Sequence, residues 1–156
     1  MLVSDTSDDP EREREVVANL VAHHIRGLLV SPTSGWLGGA ARVIRDHQVP
    51  CVLVDRLQRA SVDQVGVENE RATATLVEHL ISRGHTRVAC MAGRAGLSTT
   101  DERVAGFRAA MAAKGIPVDE GLVVNGESTD NGGRKAMRML LTRREPPRGC
   151  SSATTP

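Results

Sequence analysis

Tyrosine is absent from this chain, and Trp36 and Phe107 are its only aromatic residues. A base-stacking platform for single-stranded nucleic acid is thereby excluded, and the core has to be built from aliphatic side chains. An excess of charge of one sign is also lacking: 20 Lys and Arg against 19 Asp and Glu leave a formal net charge of +1. With no basic arm or stripe, these residues carry no electrostatic footprint for a nucleic acid duplex.

Cysteine is scarce and odd in number. Cys51, Cys90 and Cys150 are far apart, and the first two sit inside apolar runs. That pattern points to buried thiols in a reducing compartment, not to a disulfide framework or a C-x-x-C site. The histidines, His23, His24, His47, His79 and His85, lack metal-ligand spacing, so no metal and no other cofactor is expected. No apolar run approaches the ~20 residues of a membrane helix, and no charged-then-apolar leader opens the chain. A cytoplasmic location without membrane contact is the expectation.

Motifs of catalysis are missing as well: there is no Walker loop, G-x-G-x-x-G, G-x-S-x-G or H-E-x-x-H. Scattered Ser, His and Asp residues without a nucleophile and base constellation argue against an enzyme.

What is present is a regular alternation. Strand-length apolar runs begin at Leu2 (LV), Gly27 (GLLV), Cys51 (CVLV), Val65 (VGV), Arg87 (RVACMA) and Leu122 (LVV), with helical patterns between them. This predicts an α/β fold with parallel sheets. A first helix is expected over residues 10–24, capped by Asp9, with Val16, Val17, Leu20, Val21 and His24 on one face and Gly27 past its end. A second carries Leu37, Ala40, Ala41 and Ile44; a third carries Ala72, Leu76, Val77, Leu80 and Ile81 and stops at Gly84. The fourth starts at Thr99 with a Thr-x-x-Glu capping box to Glu102 and buries Val104, Phe107 and Met111. The last, over residues 133–141, buries Ala136, Met137, Leu140 and Leu141.

The segment DRLQRASVDQ, residues 55–64, has neither periodicity and reads as a link between two halves, with a boundary near Val67. The expected organisation is one half over 1–67, a second over 68–149 and a tail over 150–156, where CSSATTP stands in place of an expected apolar strand.

Ligands of open parallel sheets bind beyond the carboxyl ends of the strands. Ser4 and Asp5 follow the first apolar run, Ser31 the second, Asp55 and Arg56 the third, and Gly93 and Arg94 the one opening the second half. A carboxylate accepts from paired hydroxyls and a guanidinium donates a planar fork, which suits a sugar or other polyol. Asp55 and Arg103 could supply one each. Arg103 falls in the first turn of the fourth helix, where the dipole disfavours a cation by ~0.3–1 kcal/mol, so a partner outside the helix is expected; the bland alternative is a surface pair with Glu102 or Asp101. Asp55 could equally serve a turn. Trp36 could stack on a sugar face or simply cover apolar surface.

Several ordered stretches carry a family resemblance: SDTSDDPEREREVVANLVAHHIRGLLVSP, VPCVLVDR, VGVENERATATLVEHLISRGHTRVACMAG and STTDERVAGFRAAMAAKGIPVDEGLVVNGES. Together they resemble the sensor region of LacI/GalR-type transcriptional repressors, which is similar to periplasmic sugar-binding proteins. The resemblance spans residues 1–149 and implies a periplasmic-binding-protein-like fold of two lobes, both partial (1–67 and 68–149) and so of little stability margin, with a tail over 150–156 outside the family. It also implies a small-molecule effector in the cleft, a homodimeric parent, and operator DNA held by an amino-terminal helix-turn-helix. By position, Asp55 matches an effector-contacting aspartate and Arg103 the arginine before the V/L-A-G-F/W segment; Asp5, Ser31 and Trp36 complete the candidate site. The chain departs from the family at the front, where the DNA-binding part is expected to be missing; at the back, where an N/G-D motif is expected; and at Ser128, where some members place an aromatic. The last departure favours a polar sugar over a flat purine. The runner-up is the periplasmic sugar receptor of a transporter.

Overall fold

The computed structural model describes residues 1–33 and 38–152. The chain divides into two compact units, Met1–Val67 and Glu68–Pro156.

In the first unit, helix α1 (Pro10–Ala22) starts behind Asp9, whose carboxylate accepts from the amides of Glu11 and Arg12, with Pro10 in the first turn. These groups satisfy amides that would otherwise lack partners. Strand β1 (Leu28–Val30), helix α2 (Gly39–Asp46), strand β2 (Cys51–Val54) and strand β3 (Asp63–Val65) follow. The three strands form a parallel sheet in the order β1-β2-β3, with Leu29 opposite Val52 and Leu53 opposite Gln64. Val17, Val30, Ala40, Ala41, Ile44 and Leu53 make its aliphatic core.

The second unit consists of helix α3 (Asn69–Ser82), strand β4 (Val88–Ala92), helix α4 (Ser98–Ala113), a 3-10 turn (Glu120–Leu122), strand β5 (Val123–Asn125), helix α5 (Asp130–Leu141) and strand β6 (Gly149–Ser152). Its parallel sheet has the order β5-β4-β6. The continuous apolar run of β4 is explained by its central place, since side chains alternate between two covered faces. Val88 and Cys90 meet Val77, Phe107, Ala110 and Met111 from α3 and α4, whereas Ala89 meets Leu122, Val124, Ala136 and Leu140. Gly84 ends α3 with φ +88°; its amide donates to Ile81 O and that of His85 to Leu80 O, which closes the helix in a left-handed cap.

Several expectations change. Leu2 and Val3 form no strand and are 78% and 85% exposed, although β1 has an open edge beside them. Residues 55–64 do not link two halves: they lie in the first unit and end in β3, which starts at Asp63 instead of Val65. An edge strand with its middle residue half-buried and its ends exposed has no apolar alternation to betray it. The Gln64 side chain folds the preceding loop back by accepting from the Gln58 amide and donating to Gln58 O and Ala60 O. The first helix stops at Ala22, so His24 is an exposed left-handed residue, φ 54°, instead of a core position. Helix α5 begins at Asp130, behind Thr129, whose hydroxyl accepts from the Gly132 amide. Leu76 and Leu141 face solvent.

The tail also differs from expectation. Residues 149–152 are a strand paired with Val88–Met91 of β4, even though CSS is not an apolar run. Ser151 is buried and its hydroxyl donates to Ala89 O at 3.4 Å. A small polar side chain that satisfies its own hydrogen bond fits a flank where a larger apolar one was expected.

Candidate functional site

The carboxyl ends of both sheets carry polar groups. In the first unit β1 runs into Ser31, which is exposed, and then into buried Thr33. Thr33 is held from α1: Glu13, itself buried, accepts from the Thr33 amide and from its hydroxyl, each at 2.7 Å. A buried carboxylate needs such donors to offset its lost hydration, and the pair fixes the chain direction immediately after β1.

Strand β2 runs directly into Asp55, which is exposed and adopts φ 68°. Its amide donates to Val65 O at 2.8 Å, extending the ladder to β3 while the chain reverses. The left-handed conformation costs a residue with a Cβ roughly 1–2 kcal/mol, although Asp tolerates it better than most. The half-buried Arg56 guanidinium pairs with Asp8 and donates to Pro32 O at 3.3 Å, so it ties the loops after β1 and β2 to the segment before α1. Asp5 lies in that segment, where its carboxylate accepts from the Ser7 amide at 2.8 Å.

Asp5 and Ser31 line one cleft of about 940 Å³ together with Asp8, Glu13 and Arg56. That volume suits a small molecule. Its walls include all of β1, with Leu29 75% exposed, and the apolar residues Met1, Leu2 and Val3. The cleft therefore has a polar end at Ser31 and Arg56 and an apolar length along the open strand edge. Asp55 does not line it. Trp36 lies outside the described residues, as does Leu37 of the second helical pattern.

In the second unit, β4 leads into Gly93 and Arg94, whose amide donates to the Ser128 hydroxyl at 3.0 Å. Ser128 is left-handed, φ 54°, as is Glu127 before it, whose amide donates to Asn125 Oδ1. The position where an aromatic was considered thus joins the loops after β4 and β5. Across the sheet, the Gly126 amide donates to Ala92 O at 2.7 Å.

Arg103 stands in the second turn of α4, which starts at Ser98 behind Leu97 and has no side-chain cap. The expected capping box is not formed. Thr99 is buried within the helix, and the Glu102 carboxylate accepts from Asn69 Nδ2 at 2.9 Å. The same Asn69 amide accepts at Oδ1 from Arg103 Nε at 2.8 Å. Asn69 is 3% exposed and begins α3, so one buried amide joins the start of one helix to two consecutive residues of another. Reading of the sequence missed Asn69, Glu13 and Asp8. Asn69 could be seen only as an asparagine at the head of an apolar-periodic run, which suggests a cap; its actual partners are 33 and 34 residues away.

Burial pushes the thiols of Cys51, Cys90 and Cys150 above their ordinary pKa, opposed for Cys90 by a hydrogen bond to Ser151. Raised thiols are poor nucleophiles at neutral pH. Among the described residues no group of three His, Cys, Asp or Glu side chains could hold a metal, and no helix is long and apolar enough to cross a membrane.

Comparison with known proteins gives a consistent result. The family model for periplasmic binding proteins and the sugar-binding domain of the LacI family matches residues 2–153, a range that takes in β6. The ribose operon repressor of Escherichia coli is 29% identical over 143 residues, 91% of this chain and 43% of the relative. A crystal structure of a LacI-family sugar-binding transcriptional regulator from Escherichia coli, in complex with phosphate, is 26% identical with a TM-score of 0.76, covering 92% of this chain and 52% of that one. The transcriptional regulator CelR in complex with cellobiose is 28% identical with a TM-score of 0.75, over 85% and 41% of the two chains. The chain thus spans less than half the length of the curated relatives it matches.

Proposed function

This chain belongs to the family of periplasmic binding proteins and LacI-type sugar-binding domains, and from that premise we propose that it is the effector-sensing region of a transcriptional repressor of carbohydrate metabolism. Its effector is a sugar or a similarly hydroxylated small metabolite. Asp55, Asp5 and Ser31 of the first unit and Arg103 of the second are the groups we assign to it, with Trp36 a further candidate. Asp55 accepts from hydroxyls, and Arg103 donates a planar fork to hydroxyl, carboxylate or phosphate oxygens.

One observation carries the reading. Asp55 follows directly on β2 and is exposed, at the carboxyl end of a parallel sheet, where ligands of such sheets bind. The relatives named above are regulators, which supports a sensor over a transport receptor or an enzyme. Operator binding and homodimerisation belong in this reading to the parent regulator, with DNA gripped by a helix-turn-helix domain. These 156 residues carry a formal net charge of only +1, which is in keeping with that division of labour.

The test is calorimetric titration of the full chain with ribose, cellobiose and fructose 1-phosphate. At least one should bind, and Arg103→Ala and Asp55→Ala should each weaken it by roughly tenfold or more, as expected for losing a hydrogen bond to a charged group. No heat from any of the three, or unchanged affinity in both variants, would overturn the proposal.

A further inference from the structure

We propose that Asn69 is a positioning residue for effector binding: it sets the orientation of the Arg103 guanidinium and thereby the affinity and selectivity for the ligand oxygen that Arg103 contacts. This rests on the assignment of Arg103 above and deepens it.

A guanidinium on a flexible stem gives a selective contact only if its plane is set in advance, because the fork is planar and its hydrogen bonds are directional. Asn69 supplies that constraint at the inner nitrogen. Its Oδ1 accepts from Arg103 Nε at 2.8 Å, which fixes the rotation of the guanidinium about the end of the side chain. The amide cannot turn over, because its Nδ2 is committed to Glu102 Oε2 at 2.9 Å, and a flipped amide would set oxygen against carboxylate and nitrogen against guanidinium. Burial to 3% exposure removes water as a competing partner.

The helices are built to allow this reach. Gly106 lies one turn beyond Glu102 and Arg103, and a Cβ on it would overlap the backbone oxygen of Glu70, the residue after Asn69. Only at that separation does a side chain as short as Asn69 bridge from α3 to α4. Glu102 serves as the orienting carboxylate for the amide, so three residues, Glu102, Asn69 and Arg103, form one ordered chain ending at the ligand.

The experiment uses Asn69→Ala, Asn69→Asp and Glu102→Gln in the full chain. Two readouts are taken: calorimetric affinity for ribose, cellobiose and fructose 1-phosphate, and protection of the Arg103 Nε–H from solvent exchange by NMR. Asn69→Asp is made together with Glu102→Gln, so that one Asp oxygen faces Arg103 and the other accepts from the Gln amide, and Glu102→Gln alone keeps an acceptor for the Asn69 amide. Both should stay within roughly threefold of the parent affinity, whereas Asn69→Ala should lose roughly tenfold or more together with Nε–H protection. Where Asn69→Ala fails to fold, the contrast between Asn69→Asp and an Asn69→Ser variant, too short to reach, decides. Unchanged affinity in Asn69→Ala, or an Arg103 Nε–H still protected there, overturns the proposal. If none of the three sugars binds the parent chain, the sensor reading fails, while Nε–H protection still decides whether Asn69 holds Arg103.

Discussion

Gly106 of α4 lies against the backbone oxygen of Glu70 of α3 so closely that no Cβ fits between them. A glycine inside a helix ordinarily costs ~1 kcal/mol relative to alanine, so its presence in the middle of α4 requires a reason, and the close approach of the two helices is that reason. Gly106→Ala should therefore destabilise the chain by about 2 kcal/mol or more despite its better helix propensity, because the obstructing atom is backbone and cannot rotate away. Urea denaturation followed by circular dichroism measures it. An unchanged or raised midpoint would show that the helices can separate without loss.

Glu13 gives a second prediction. It is buried and is acceptor to two donors of Thr33. Glu13→Ala should cost about 2–3 kcal/mol, the penalty of leaving buried donors unsatisfied, while Glu13→Gln, which keeps an oxygen in place, should cost clearly less. Equal losses in the two variants would mean that the side chain matters for packing alone.

The cysteines predict a pH dependence. Burial raises all three thiol pKa values in the folded chain, so folding favours the protonated form. Between the unfolded value and the higher folded value the native state holds more protons than the unfolded one. The contribution is therefore fully present below the unfolded value, about pH 8.5, and is lost as pH rises above it. Stability measured in urea at pH 7 and pH 10 should fall, and replacing Cys90 with Ala should reduce that fall. A variant with the same pH slope as the parent would refute the assignment. Iodoacetamide at pH 8 should also label Cys90 far more slowly in buffer than in urea, since Cys90 is 1% exposed.

Much of the framework was legible before any coordinates. The GLLV, CVLV and RVACMA runs became β1, β2 and β4, because short apolar runs of strand length have few other uses. In β4 both faces are covered, so the run is apolar throughout, whereas Leu29 of β1 is left exposed. Asp9 before Pro10 and Gly84 after an apolar-periodic run marked helix ends for the local reasons that operate in the structure, an orphan amide at one end and a left-handed residue at the other. The family membership also followed from ordered stretches of sequence, and the family model matches residues 2–153.

Features that depend on a distant neighbour were not legible. Leu2 and Val3 are as apolar as any strand, yet they pair with no described strand and stay exposed. Residues 149–152 are polar by composition, yet β4 offered an edge and Ser151 found Ala89 O. Glu102 was written in the spacing of a capping box, and Asn69 took its carboxylate instead. Sequence determines the local preferences of this protein, through periodicity, capping chemistry and the sites where only glycine fits without strain. Which carboxylate meets which amide, and which edge receives the next strand, was decided by tertiary structure, because hydrogen-bond partners 33 residues or more apart are chosen by packing and not by spacing.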